Sequence, residues 1–148
     1  MGIKIYTDGA CIGNPGPGGW AAVLLIEGNK KEIFGGEKLT TNNRMELTAA
    51  IKALEYCVEK EDKQLSLKQI EIYTESTYLK DGITVWINTW EKNNWKTADK
   101  KNVKNIDLWK QLKDLVKSNQ IEWNWIKSHS NNPMNDLVDE LAKKATPI

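Results

Sequence analysis

Along residues 2–8, Ile3, Ile5 and Thr7 alternate with Lys4, Tyr6 and Asp8, the two-residue period of a strand with one face in a core. The stretch CIGNPGPGG (11–19) predicts a turn-rich loop, followed by two strands, WAAVLLIEG and KKEIFGGEKL, hinged about Gly28-Asn29. From about Asn43 to Lys60 the period changes. Leu47, Ala50, Ile51, Ala53, Leu54, Cys57 and Val58 recur at the spacing of one face of an amphipathic helix. LKQIEIYTE then reads as a fourth strand, with short helical pieces over 76–81 and 83–92 and a Lys/Asn-rich loop over 92–104. A helix carrying Leu108, Trp109, Leu112, Leu115 and Val116 precedes a fifth strand, QIEWNWIK. The last helix is predicted to begin with Asn132 as its cap and Pro133 at its first position, and to end near Lys144.

This order predicts an α/β fold with a mixed five-stranded sheet flanked by helices. The first three strands form an antiparallel meander, and a crossover helix sets the fourth parallel to the first. Two of the strand segments echo each other: IKIYTDG at 3–9 and IEIYTES at 70–76. With Ile3 beside Ile70 and Tyr6 beside Tyr73, Asp8 and Glu75 are predicted to sit at one sheet edge, on strands roughly 4.8 Å apart.

The 148 residues suit a single domain spanning 1–148, and 40 % apolar with 28 % charged residues is ordinary for a soluble globular chain. No run approaches the roughly 18 apolar residues of a membrane span, and the N-terminus carries no signal-peptide hydrophobic segment. Two cysteines, Cys11 and Cys57, are too few for a disulfide scaffold, so reduced thiols in a cytoplasmic compartment are expected. Nothing in the sequence requires more than a monomer. The formal charge of +1 conceals an asymmetry, because residues 86–113 carry +4 and the remainder −3. That segment also holds Trp86, Trp90, Trp95 and Trp109, four of the seven tryptophans. Basic charge interleaved with aromatics suits a nucleic acid, although an amphipathic helix pair with buried tryptophans would show the same composition.

Two acids side by side repel unless something positive holds them. Glu46 continues the small-residue stripe of Ala50, Ala53 and Cys57 that must face the sheet, although with Asn43 as cap it could instead close a capping box. Asp139 flanks the stripe Met134, Leu137, Val138 and Leu141 of the last helix, and could alternatively pair with Lys143 one turn on. Carboxylates gathered without a Cys/His set suit Mg²⁺ or Mn²⁺ rather than Zn²⁺. Two such ions about 3.5–4 Å apart can drive a phosphodiester displacement. His129, the one histidine, lies between the last strand and helix, where a proton shuttle could work and where a solvated histidine would also be at home.

Taken in series, YTDGACIGNPGPGGW, TTNNRMELTAAIKALE, IEIYTESTYLKDGI, WKTADKKNVKNIDLW and IKSHSNNPMNDLVDELA resemble type 1 ribonuclease H over essentially the whole chain. The resemblance implies a ribonuclease H-like fold and cleavage of the RNA strand of RNA–DNA hybrids, leaving 5′-phosphate and 3′-hydroxyl ends. It implies two divalent ions held by Asp8, Glu46, Glu75 and Asp139, with His129 aiding proton transfer or product release. It places Cys11 and Asn14 near ribose, Thr41, Asn42 and Asn43 at a helix N-terminus facing sugar and phosphate, and Asn105 on a phosphate. The segment 86–104, with Trp86, Lys92, Trp95, Lys96, Lys100, Lys101 and Lys104, resembles the family's basic protrusion, which holds the DNA strand.

The pattern is broken at residue 75, where the family's TDS reads TES. Glu75 extends the carboxylate by about 1.5 Å, and a misplacement of about 1 Å can cost on the order of 10²-fold. Either the backbone retracts there, or the chain is a hybrid-binding protein with weakened or absent catalysis. A misplaced ligand would make Glu75→Asp raise turnover. Ser128 also stands where the family has glycine before the histidine, and Glu91 and Asn93 stand where basic residues are common.

Overall fold

The computed structural model describes residues 2–60, 69–117, 120–127 and 131–147. Strands β1 (Gly2–Cys11), β2 (Gly16–Ile26) and β3 (Asn29–Thr40) form the antiparallel meander, and helix α1 (Asn42–Lys60) crosses to β4 (Gln69–Thr74). Helices α2 (Thr77–Asp81) and α3 (Ile87–Lys92) are joined by π-helical turns over Gly82–Trp86, and α4 (Ile106–Lys117), β5 (Ile121–Trp125) and α5 (Pro133–Ala145) complete the chain. The sheet order is β3-β2-β1-β4-β5, with β4 parallel to both β1 and β5. Ile3 pairs with Ile70 and Tyr6 with Tyr73, as the echo predicts, and the two tyrosine rings stack 4.8 Å apart.

Strand alternation fills both faces of the sheet. Ile3, Ile5, Ile70 and Ile72 pack with Leu47, Ala50, Ile51 and Leu54 of α1 and with Trp109 and Leu112 of α4. On the other face Tyr6, Ala21 and Val23 pack with Val138 and Ala142 of α5, with Met134, Leu137 and Leu141 at the margin. The stripe of α1 is covered as far as Cys57, whereas Val58 is exposed.

Three sequence expectations change. Most of the supposed loop 11–19 is strand: Ala10 and Cys11 pair with Gly19 and Gly18, and the turn is confined to 12–15. Glycine here marks close approach of another backbone, since a Cβ on Gly19 would lie 2.2 Å from the Ala142 carbonyl oxygen of α5. Next, α1 is capped by Thr41, whose Oγ1 accepts the Arg44 N–H at 3.2 Å. With Asn42 already helical, the Asn43–Glu46 capping box does not form. Finally, the pieces over 76–92 form one helical run with π turns at its centre. A Cβ on Gly82 would meet the buried Trp109 ring at 2.1 Å. Gly82→Ala is therefore expected to destabilise by about 1–3 kcal/mol through overpacking, read as a lower urea midpoint at unchanged m-value.

Candidate active site

Asp8 lies in β1 with Gly9 after it, and that glycine decides how near α1 can come. A Cβ at Gly9 would sit 2.5 Å from the Glu46 backbone nitrogen, so only glycine lets the first turns of α1 close on β1. Asp8 and Glu46 are consequently both buried, at 6 % and 5 % exposure. The β1–β4 ladder ends at Thr7–Thr74, and the chain bends at Glu75 as it leaves the sheet. Asp8 and Glu75 are thus not ladder partners. Asp139 comes from α5. These four carboxylates, carried by four elements, line one cavity of about 370 Å³ together with Asn42, Asn43 and Tyr78.

The local electrostatics are severe. Burial, followed by hydrogen bonding to and repulsion from Asp139 and repulsion from Glu75, pushes the Asp8 carboxyl up to about 8. Glu46 is raised well above the ordinary glutamate range, chiefly by burial and then by the charges of Asp8 and Glu75. Its Oε1 is buried without a hydrogen-bond partner, a position that costs free energy unless a cation or proton satisfies it. Two carboxyls that perturb each other this strongly, as Asp8 and Asp139 do, call for a proton or cation to offset their repulsion. An all-oxygen donor set with an orphaned buried carboxylate oxygen fits a hard divalent cation.

Among the described residues, no three such side chains stand close enough to share one ion as they are. Two of them have partners outside the acid cluster. Asp139 Oδ2 pairs with Lys143 Nζ at 3.1 Å, the surface pairing also open from sequence. Glu75 Oε1 accepts the Asn135 side-chain N–H at 2.8 Å, while its backbone carbonyl accepts the Trp125 indole N–H at 3.0 Å. Asn135 is 4 % exposed and was not singled out from sequence. The available signal was a polar residue on the inner stripe of α5, one turn before Asp139. Asn132 caps α5 as expected, accepting from Met134 and Asn135 N–H groups at 3.0 and 3.2 Å.

Several of the other candidates gather around the start of α1. Asn14 Oδ1 accepts the Asn42 N–H at 2.8 Å. The Cys11 thiol lies 3.5 Å from the Thr40 carbonyl oxygen and 3.6 Å from that of Gly16. These contacts tie the β1–β2 turn to the β3–α1 junction, where Thr41 caps the helix beside Asn42 and Asn43. Asn105 is committed within the protein: its Oδ1 accepts from Arg44 at 3.2 Å and its Nδ2 donates to the Tyr78 hydroxyl at 3.0 Å. Arg44 also forms a two-pronged pair with Asp107 at 3.1 and 2.8 Å.

In the protrusion, Lys92, Lys96, Lys100, Lys101 and Lys104 are exposed, and Trp86 keeps 37 % of its surface. Trp95 is instead half-buried against the core, 6.2 Å from Trp90, with Lys110 Nζ 5.5 Å above its ring. The loop folds back as Lys96 pairs with Asn102. Glu91 pairs with Lys113, so it does not present a free negative charge to a polyanion. A mostly apolar cavity of about 400 Å³ lies under this loop, lined by Tyr78, Trp90, Val103, Lys101 and Lys104. Tyr78 borders both cavities, so the carboxylates and the basic loop lie on either side of one ring. His129 and Ser128 lie outside the described residues.

A family model described as RNase H matches residues 2–146. A ribonuclease H of Maricaulis maris is 55 % identical over 142 residues, covering 96 % of this chain and 91 % of the relative. One from Methylobacillus flagellatus is 54 % identical, covering 96 % and 89 %. Among solved structures, LC9-RNase H1, described as a type 1 RNase H with the type 2 active-site motif, superposes with TM-score 0.84 at 28 % identity. That match covers 97 % of this chain and 71 % of the other. LC11-RNase H1 in complex with an RNA/DNA hybrid matches with TM-score 0.74 at 26 % identity, covering 97 % and 96 %.

Proposed function

This chain belongs to the RNase H family, and from that premise we propose how its own residues carry the reaction. The activity is endonucleolytic hydrolysis of the RNA strand of RNA–DNA hybrids, with dependence on divalent metal. Asp8, Glu46, Glu75 and Asp139 are the residues that would hold the cations, two Mg²⁺ ions with Mn²⁺ as a substitute. When bound, these cations supply Lewis-acid stabilisation of the charge developing on the scissile phosphate. The observation that carries the assignment is the convergence of four carboxylates from β1, α1, the residue after β4 and α5 in one cavity, with Tyr78 between it and the basic loop.

Each part of the chain then has a task. Asp8 and Glu46, fixed by the Gly9 contact, give the rigid half of the site. The α1 N-terminus, with Asn14, Thr41, Asn42 and Asn43, offers backbone and side-chain donors to sugar and phosphate, and Cys11 holds that turn in place. Contact with the ribose 2′-hydroxyl there is what separates an RNA strand from a DNA strand. Lys92, Lys96, Lys100, Lys101 and Lys104 and the exposed part of Trp86 follow the DNA strand. Asn105, fixed by Arg44 and Tyr78, presents its amide toward a phosphate of the hybrid. His129 aids proton transfer or product release, and the products carry 5′-phosphate and 3′-hydroxyl ends. The chain works as a monomer in the reducing cytoplasm, where Cys11 and Cys57 stay thiols.

The direct test uses end-labelled hybrid with purified protein in Mg²⁺, with EDTA and all-DNA duplex as controls. Cuts confined to the RNA strand, abolished by EDTA, are expected; retention of hybrid without cleavage would favour a binding protein. The basic loop has its own test. Replacing Lys100 and Lys101 together by alanine should raise KM several-fold and leave kcat unchanged. The salt slope of binding should fall by about 1 for each phosphate that is no longer neutralised. A lowered kcat with unchanged KM would contradict that assignment.

A further inference from the structure

The tether on Glu75 answers the question raised by its length. We propose that Asn135 is a positioning residue. Its side-chain amide fixes one oxygen of Glu75 and leaves the other for the cavity shared with Asp8, Glu46 and Asp139. This deepens the nuclease reading and rests on it. A glutamate has one more rotatable bond than an aspartate, and an unrestrained carboxylate among three others would swing away from them. Here both ends are held: the backbone carbonyl by the Trp125 indole at 3.0 Å and Oε1 by Asn135 at 2.8 Å.

Asn135 is itself immobile. It is 4 % exposed, lies on α5 one turn before Asp139, and its backbone N–H is fixed by the Asn132 cap at 3.2 Å. One helix therefore aims an amide at the acid following β4 and a carboxylate at the acid in β1. The chain bends at Glu75 as it leaves β4, and the longer glutamate side chain reaches the Asn135 amide. An aspartate at 75 would stop short of the amide. The expectation drawn from sequence is thereby reversed: Glu75→Asp should lower turnover, not raise it.

The experiment is a double-mutant cycle on the full chain with Asn135→Ser, Glu75→Asp and the combination. It reads kcat, KM, and the Mg²⁺-induced rise in melting temperature without substrate. Asn135→Ser is expected to lower kcat by about 10–100-fold, as removal of a metal ligand's hydrogen-bond partner does, with KM little changed and the Mg²⁺-induced rise reduced. In the Glu75→Asp background the same substitution should change neither quantity more than about twofold. Equal losses in both backgrounds, an undiminished Mg²⁺ response in Asn135→Ser, or faster turnover by Glu75→Asp would each overturn the tether. If Asn135→Ser does not fold, Glu75→Asp alone decides through its kcat and its Mg²⁺ response. An unmutated protein that neither cleaves hybrid nor responds to Mg²⁺ would instead remove the nuclease reading beneath it.

Discussion

Asp8→Asn is expected to lower hybrid cleavage by about 10³-fold while raising the melting temperature of the metal-free protein. The two effects share one cause. Asp8 is buried against Asp139 and Glu75, and its carboxyl is pushed up to about 8 from an ordinary 3.8, so a carboxylate here is disfavoured in the folded chain unless a cation arrives. Asparagine has nearly the same shape, carries no charge, and can donate to Asp139. It removes the repulsion and the metal donor together. Loss of one preorganised electrostatic group costs about 10²–10³-fold in other enzymes, and a ligand common to the whole site belongs at the upper end. Relief of the burial cost should raise Tm by about 3 °C or more. Circular dichroism melts and single-turnover cleavage on the same sample check both. A destabilised, still active variant would mean that Asp8 is structural.

The second large effect is a pH dependence that Mg²⁺ cancels. Without metal, stability should fall as pH rises from about 4 to about 8. The sign follows from linkage: in the folded chain Asp8 keeps its proton up to about 8, whereas the unfolded chain releases it near 3.8. The folded state therefore binds more protons across that window, and stability declines as they are withdrawn. Glu46, also raised, acts in the same direction. Asp107, lowered by its Arg44 partner, acts oppositely, but its contribution is lost only as pH falls below the ordinary carboxylate range. Thermal melts in EDTA and in Mg²⁺ across this range should diverge, with the Mg²⁺-induced increase larger near pH 8 than near pH 5. Parallel curves would show that the cation does not meet the buried acids.

Much of this was legible in the chain because it is written in short periods. The two-residue alternation of Ile3, Ile5, Ile70 and Ile72 located the central strands and their register. The α1 stripe, with Glu46 at its inner end, pointed the third acid at the sheet. What escaped depends on partners far apart in sequence. Asn135 and Glu75 are 60 positions apart, and neither has a local pattern that announces the other. Nor does the sequence show that folding brings Arg44 and Tyr78 to Asn105. Trp95 reads as a stacking surface until α4 supplies Lys110 above its ring. Gly18 and Gly19 signal a turn by composition, yet they pair in the strand, where a Cβ would collide with Thr40 or with the Ala142 carbonyl. The missing pieces are tertiary contacts, and periodicity carries no record of them.

That the four acids enclose a divalent-cation site is decided by anomalous scattering from Mn²⁺-soaked crystals. Peaks are expected in contact with the Asp8 and Glu46 carboxylates inside the shared cavity, and they should vanish in Asp8→Asn. Peaks only elsewhere on the surface, in a protein that still cuts hybrid in Mn²⁺, would contradict it.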